Sequence, residues 1–222
     1  MEHTDKQFEE ELRGLKECIL KMGSLVEEMV AQAMKALIER DSTLSEKIMK
    51  RDPEANRLEV EIDDRCIKLL ALRQPAGSDL RFIIIGLKIS KDLERMGDLA
   101  VDICEQALEL NKEPQVKPYV DLPNMAQKAQ AMVKEALDAF VERDVKKARE
   151  VCEADDEVDI LKHKIFRDLA ELMSSTPQSV SRALQLILTS RHLERIADHA
   201  TNIAEEVIFM VEGKDIRHGH QA

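Results

Sequence analysis

The chain repeats itself. Glu39-Arg40-Asp41 recurs as Glu142-Arg143-Asp144, Met29-Val30 as Met132-Val133, and Asp52, Glu54 and Ile62 as Asp155, Glu157 and Ile165, all at an offset of 103 residues. Around Pro177 the second copy is three residues shorter and the offset becomes 100, so LERMGDLAVDI at residues 93–103 returns as LERIADHATNI at residues 193–203. Two offsets, each kept over a long span, mark a tandem duplication. Whatever one unit folds into, the chain must contain twice.

Each unit reads as helices. Apolar residues fall at Phe8, Leu12, Leu15, Ile19, Met22, Val26, Met29, Ala33 and Ala36, alternating steps of four and three, the seam of a helix packed along long neighbours. Phe82, Ile85, Ile89, Leu93, Met96, Ala100, Ile103, Ala107 and Leu110 form a second such stripe. The second copy restarts the seam with Leu122, Met125, Ala129, Met132, Ala136 and Ala139, and Leu193, Ile196, Ala200, Ile203, Val207 and Met210 reproduce the later stripe. With only seven glycines, no tryptophan, one tyrosine and 35% charged residues, the composition agrees.

The punctuation divides each unit into three helices. Thr43 and Glu46 have capping-box spacing, with Thr43 as the expected cap. The helix after it meets Pro53, which demands a kink there or a helix start close by. Gln74-Pro75-Ala76-Gly77 is a turn, and Ser78 or Asp79 is placed to cap the third helix. Residues 111–123 hold Pro114, Pro118 and Pro123 and read as a connection. The expectation is an all-α protein of six long antiparallel helices in two pseudo-symmetric three-helix bundles, residues 1–112 and 113–222.

Charge and cysteine usage narrow the function. A net charge of −11 argues against a nucleic-acid binder, which needs a concentrated basic surface. Cys18, Cys66, Cys104 and Cys152 lie far apart and read as small buried hydrophobes in a reducing compartment. The N-terminus lacks a basic and then apolar leader, and no apolar run is long enough to span a bilayer. A soluble, cytoplasmic protein is expected.

The third helix of each unit raises a physical question. Glu94, Asp98, Asp102 and Glu105 stack on one face, as do Glu194, Asp198, Asn202 and Glu205. Like charges four apart cost roughly 0.2–0.5 kcal/mol per pair, and more at a desolvated flank of a bundle. Salt bridges from Arg81, Lys91 or Arg95 would explain a single such stripe, but surface positions rarely need to keep a specific carboxylate through duplication and divergence. Asp52 and Asn56, and Asp155 and Asp159, are also four apart, and an antiparallel hairpin sets residues 52–56 opposite 94–99. The same geometry puts Asp155 and Asp159 opposite Glu194 and Asp198. That is a hard-oxygen site for a cation, with iron, manganese, magnesium or calcium favoured over zinc.

Other chemistries find less support. No Glu-x-x-His occurs, which speaks against a ferritin-like di-iron oxidase. Nor is there a nucleotide-binding loop, a nucleophile elbow or a Cys–His arrangement. Arg95 and Arg195 are expected to neutralise the acids, and His199 to support or pack rather than ligate. Asp215, His218 and His220 follow Gly213 in what reads as a solvated tail. Two rivals to a metal-binding regulator remain: a metal-dependent phosphoester hydrolase using the same carboxylates, and a metal-free helical scaffold.

The duplicated unit, its E-R-x-x-D third helix and the C-terminal run HLERIADHATNIAEEVIFMVEGKDIRH together resemble the PhoU family of phosphate-transport regulators. The resemblance covers essentially the whole chain. It implies a cytoplasmic non-enzyme that negatively regulates phosphate uptake and the phosphate-starvation response. Its implied partners are the ATPase of the phosphate ABC transporter and a sensor histidine kinase, and a homodimer is a reasonable assembly. It also implies metal clusters, often of iron, on E(D)xxxD motifs, which fall here at Glu94 and Asp98, Glu194 and Asp198, and Asp155 and Asp159. Asp52 and Asn56 depart from the motif, so the first site carries less charge; Asp102 restores some, whereas its counterpart Asn202 is neutral.

Overall fold

The computed structural model describes residues 2–116, 119–214 and 216. Among these the chain is helical, without a strand. Asp215, His218 and His220, read above as a solvated tail, lie outside the described residues.

Helix α1 (Glu2–Glu39) holds its four-three seam along its length: Leu15, Ile19, Met22, Val26, Met29, Ala33 and Ala36 are fully buried, and Phe8 and Leu12 pack at the core's edge. It ends where Arg40 turns left-handed, with φ of 58°. Helix α2 (Ser42–Met49) follows, capped by Asp41, whose carboxylate accepts the Leu44 amide at 2.9 Å. The cap is thus Asp41 and not Thr43. Asp41 has the extended backbone a cap requires, whereas Thr43 is already inside the helix. The second copy repeats the device. Helix α5 (Asp121–Glu142) ends at a left-handed Arg143, and Asp144 caps α6 (Val145–Ser175) by accepting the Lys147 amide at 3.1 Å.

The copies then differ. Pro53 begins a new helix, α3 (Asp52–Arg73), where its missing N–H is no loss. Asp156 stands at the equivalent position of the second copy, and α6 runs unbroken for 31 residues. Helix α4 (Gly77–Leu110) starts without a side-chain cap, so neither Ser78 nor Asp79 serves; positive φ at Gln74 and Gly77 turns the chain instead. Pro123 lies in the first turn of α5 rather than in the connection. A 3₁₀ turn, Pro177–Ser179, leads into α7 (Val180–Glu212).

The two units share one continuous core. Helices α4 and α7 pack antiparallel at the centre. Asp102 lies 3.6 Å from the His192 ring, and Asn202 donates to Asp92 at 3.4 Å, the same contact with the two copies exchanged. A pseudo-two-fold axis therefore relates the units. Helices α1 and α5 also touch: Lys16 donates to the Val141 carbonyl at 2.8 Å, and a Cβ on Gly23 would lie 2.6 Å from Leu137 Cδ1. The two repeats are fused along two helix pairs. The reason is apolar: both stripes of α4 and α7 are wider than one hairpin can cover, and Ile83, Leu99, Ala197, Ala204 and Ile208 are buried besides the stripe residues. No helix among the described residues is long and apolar enough to cross a membrane.

Candidate metal centre

Residues four apart share a helix face, so α3 and α6 each present two oxygen-bearing side chains toward the acidic face of the following helix. In the first unit, Asp52 and Asp98 line an open cavity of about 320 Å³ with Arg95, Leu99, Asp102 and Arg195. The Asp98 carboxyl is pushed above its ordinary range by burial, by Glu94 and by Asp52, against the pull of Arg95. Arg95 donates to Asp98 at 3.1 Å and lies 3.5 Å from Glu94, while Lys91 holds Glu94 at 3.1 Å and Glu59 at 3.2 Å. Two side-chain cations thus close this cluster. Asn56 donates its amide N–H to Asp52 at 2.9 Å and leaves its own carbonyl oxygen buried without a partner. It offers the cluster a donor where a ligand role requires the oxygen.

The second unit is more acidic. Burial lifts the Asp155 carboxyl to about 6, with further pushes from Asp198, Asp159, Asp156 and Glu194. Asp198 is raised as well, by burial, Glu194 and Asp159. Against these five carboxylates stands, among the described residues, one ammonium in contact, Lys162, which reaches Asp159 at 2.7 Å and Glu194 at 2.9 Å and so ties α6 to α7. No cation forms an ion pair with Asp155 or Asp198 among the described residues.

The structure therefore brings together Asp52, Glu94 and Asp98 in one cluster and Asp155, Asp159, Glu194 and Asp198 in the other. Asp102 reaches the rim of the first cavity but faces His192 on α7. Asn202 turns away from the second cluster toward Asp92, which also accepts from His199 at 2.8 Å, so His199 ties α7 to α4. Among the described residues, no three Asp, Glu, His or Cys side chains already converge on one point. The donor chemistry nonetheless suits a hard cation: Asp155 and Asp198 are partly desolvated, Asp198 repels the charge of Asp155, and neither is in an ion pair among the described residues. Lys162 escaped the sequence reading. Its signal was an inversion between copies, for it stands where the first unit has Glu59.

A family model described as the PhoU domain matches this chain twice, over residues 19–107 and 122–207. The chain belongs to the PhoU family. Among PhoU relatives, the phosphate-specific transport system accessory protein PhoU homolog of Pseudomonas aeruginosa is 42% identical over 217 residues, 97% of this chain and 90% of that one. The homolog of the same description in Aquifex aeolicus is 42% identical over 210 residues, 95% of each chain. The crystal structure of PhoU from Pseudomonas aeruginosa superposes with a TM-score of 0.91, covering 93% of this chain and 100% of that one. The phosphate transport system regulatory protein PhoU from Streptococcus pneumoniae, 31% identical, gives 0.88 over 94% of this chain and 98% of its own.

Proposed function

We propose that this chain is a cytoplasmic negative regulator of phosphate uptake and of the phosphate-starvation response, a non-enzymatic adaptor between the ATPase of the phosphate ABC transporter and a sensor histidine kinase. The observation that carries this reading is likeness over 97% of the chain to a protein described as a phosphate-specific transport system accessory protein. The fold suits such work. Six rods fused along two seams make a stiff body whose two ends are related by pseudo-symmetry, so two partners can be held at fixed separation. Exposed Val60, Ile67 and Leu72 on α3 offer apolar contact area, for a partner or for a second copy in a homodimer.

Metal ions form part of the proposal, iron first by family likeness, with manganese, magnesium, calcium or zinc as other candidates. In the second unit Asp155, Asp159, Glu194 and Asp198 would hold the ion; in the first, Asp52, Glu94 and Asp98 would, with Asn56 after its amide turns over. A bound cation supplies the positive charge that these carboxylates lack. The residues themselves fix the α6–α7 and α3–α4 spacing, and with it the acidic face offered to partners. The test is to delete the gene and to co-purify the tagged chain with the transporter ATPase and the kinase from the same cells. Starvation genes should become constitutive, and both partners should be retained on the tag. A normal response in the deletion strain would dismiss the regulatory reading.

A further inference from the structure

Both clusters contain a lysine that bridges two helices of its unit, α3 and α4 in the first and α6 and α7 in the second, and the two lysines are not duplicates of one another. In the first unit Lys91 on α4 reaches Glu59 on α3 at 3.2 Å and Glu94 at 3.1 Å. In the second, Lys162 on α6 reaches Glu194 on α7 at 2.9 Å and Asp159 at 2.7 Å. Position 162 answers to Glu59, and position 191, an arginine, answers to Lys91. The ammonium has changed helix, and in each unit it holds the equivalent glutamate, Glu94 or Glu194. Each unit thus sets a lysine of its own against this acid.

We infer that Lys162 is a tethered cation occupying the second cluster's ion position, and that a divalent ion must displace it to gain Asp159 and Glu194. This rests on the metal reading above. It also accounts for the absence of three converging donors among the described residues: of the four carboxylates that would hold the ion, Lys162 holds Asp159 and Glu194 and leaves Asp155 and Asp198. A lysine suits this role, since its flexible stem lets the ammonium swing into water once its carboxylates are taken. Lys162 is 22% exposed and Glu194 25%, so the contact between α6 and α7 is partly shielded, while Asp159 is 48% exposed and keeps the bridge open to water. The first cluster is shut more firmly, because Arg95 joins Lys91 on Glu94 and also holds Asp98. The second unit is therefore the one that opens.

The test is brief amine acetylation of the full chain, stripped with chelator or loaded with Mn²⁺, each lysine being read by mass spectrometry. Lys162 should be protected in stripped protein and label faster with Mn²⁺, while Lys88, held by Glu206 on the α4–α7 seam, stays constant. In parallel, Lys162→Gln should bind Mn²⁺ about tenfold more tightly than wild type. Lys164→Gln, which removes the same charge from a contact with Asp121, should not. Mn²⁺ binding with Lys162 still protected, or equal gains from the two substitutions, would overturn the gate and leave the metal reading standing. If neither wild type nor Lys162→Gln binds Mn²⁺, the metal reading falls and the gate with it.

Discussion

The ammonium of Lys88 on α4 meets both carboxylate oxygens of Glu206 on α7, at 2.8 and 3.0 Å, and Glu206 is only 5% exposed. This pair joins the two copies of the duplication, with Phe209 beneath the ammonium at 5.9 Å. Replacing Lys88 with methionine keeps the packing and strips a buried carboxylate of this cation. We expect a loss of about 2–3 kcal/mol, less than for a fully buried pair because Lys88 is partly solvated. Urea unfolding measures it, and an unchanged midpoint would show that the seam stands without this ion pair.

The second cluster sets a pH dependence. The Asp155 carboxyl lies at about 6 in the fold against an ordinary 3.8, raised first by burial and then by the charges of Asp198, Asp159, Asp156 and Glu194. A carboxyl raised by folding stabilises the fold below its ordinary value and loses that contribution as pH climbs through 6. Chelator-treated protein should therefore melt higher at pH 5 than at pH 7.5, by about 1 kcal/mol after solvent screening. Asp155→Asn should flatten the difference. Metal held as proposed should reverse the slope, because ligand carboxylates must be ionised. Melting curves across this range, with and without Mn²⁺, decide both signs.

Pro53 and Asp156 occupy the same place in the two copies, yet proline is tolerable at one alone. Pro53 sits in the first turn of α3, so Pro53→Ala should move stability by less than about 1 kcal/mol. Asp156→Pro, inside unbroken α6, should cost about 3 kcal/mol or more. Circular dichroism during denaturation would expose a similar response in the two variants, and with it an error in the helix assignment.

Arg40 and Arg143 share a left-handed backbone at the ends of α1 and α5. Arg143→Gly should relieve strain and gain about 0.5–1 kcal/mol. Arg40→Gly should gain nothing, since Arg40 also donates to the Leu110 and Glu113 carbonyls and thereby fastens the connection between the units. Equal shifts in melting temperature for the two variants would contradict that role.

Much of the architecture could be read directly. Helical periodicity named the buried stripes correctly from Leu15 to Met210, because burial in a bundle follows a spacing that sequence displays. Caps were read less well: Thr43 and Ser78 have the right chemistry, but the backbone conformation that makes a cap is set by the preceding turn. The site was legible as a set of carboxylates and opaque as an arrangement. Asp102 and Asn202 lie at matching positions of the two copies, yet they meet His192 and Asp92 of the other copy, contacts that arise only when α4 packs on α7.

The sequence alone determined the helical class, the duplication and the acids that each unit brings to one face, since these depend on spacing along a single chain. Tertiary structure decided that the units fuse into one core, which carboxylates lysine and arginine neutralise, and that Asp155 and Asp198 form no ion pair among the described residues. Those outcomes depend on charges from four different helices and on how much water reaches them, and neither quantity exists until the rods are packed.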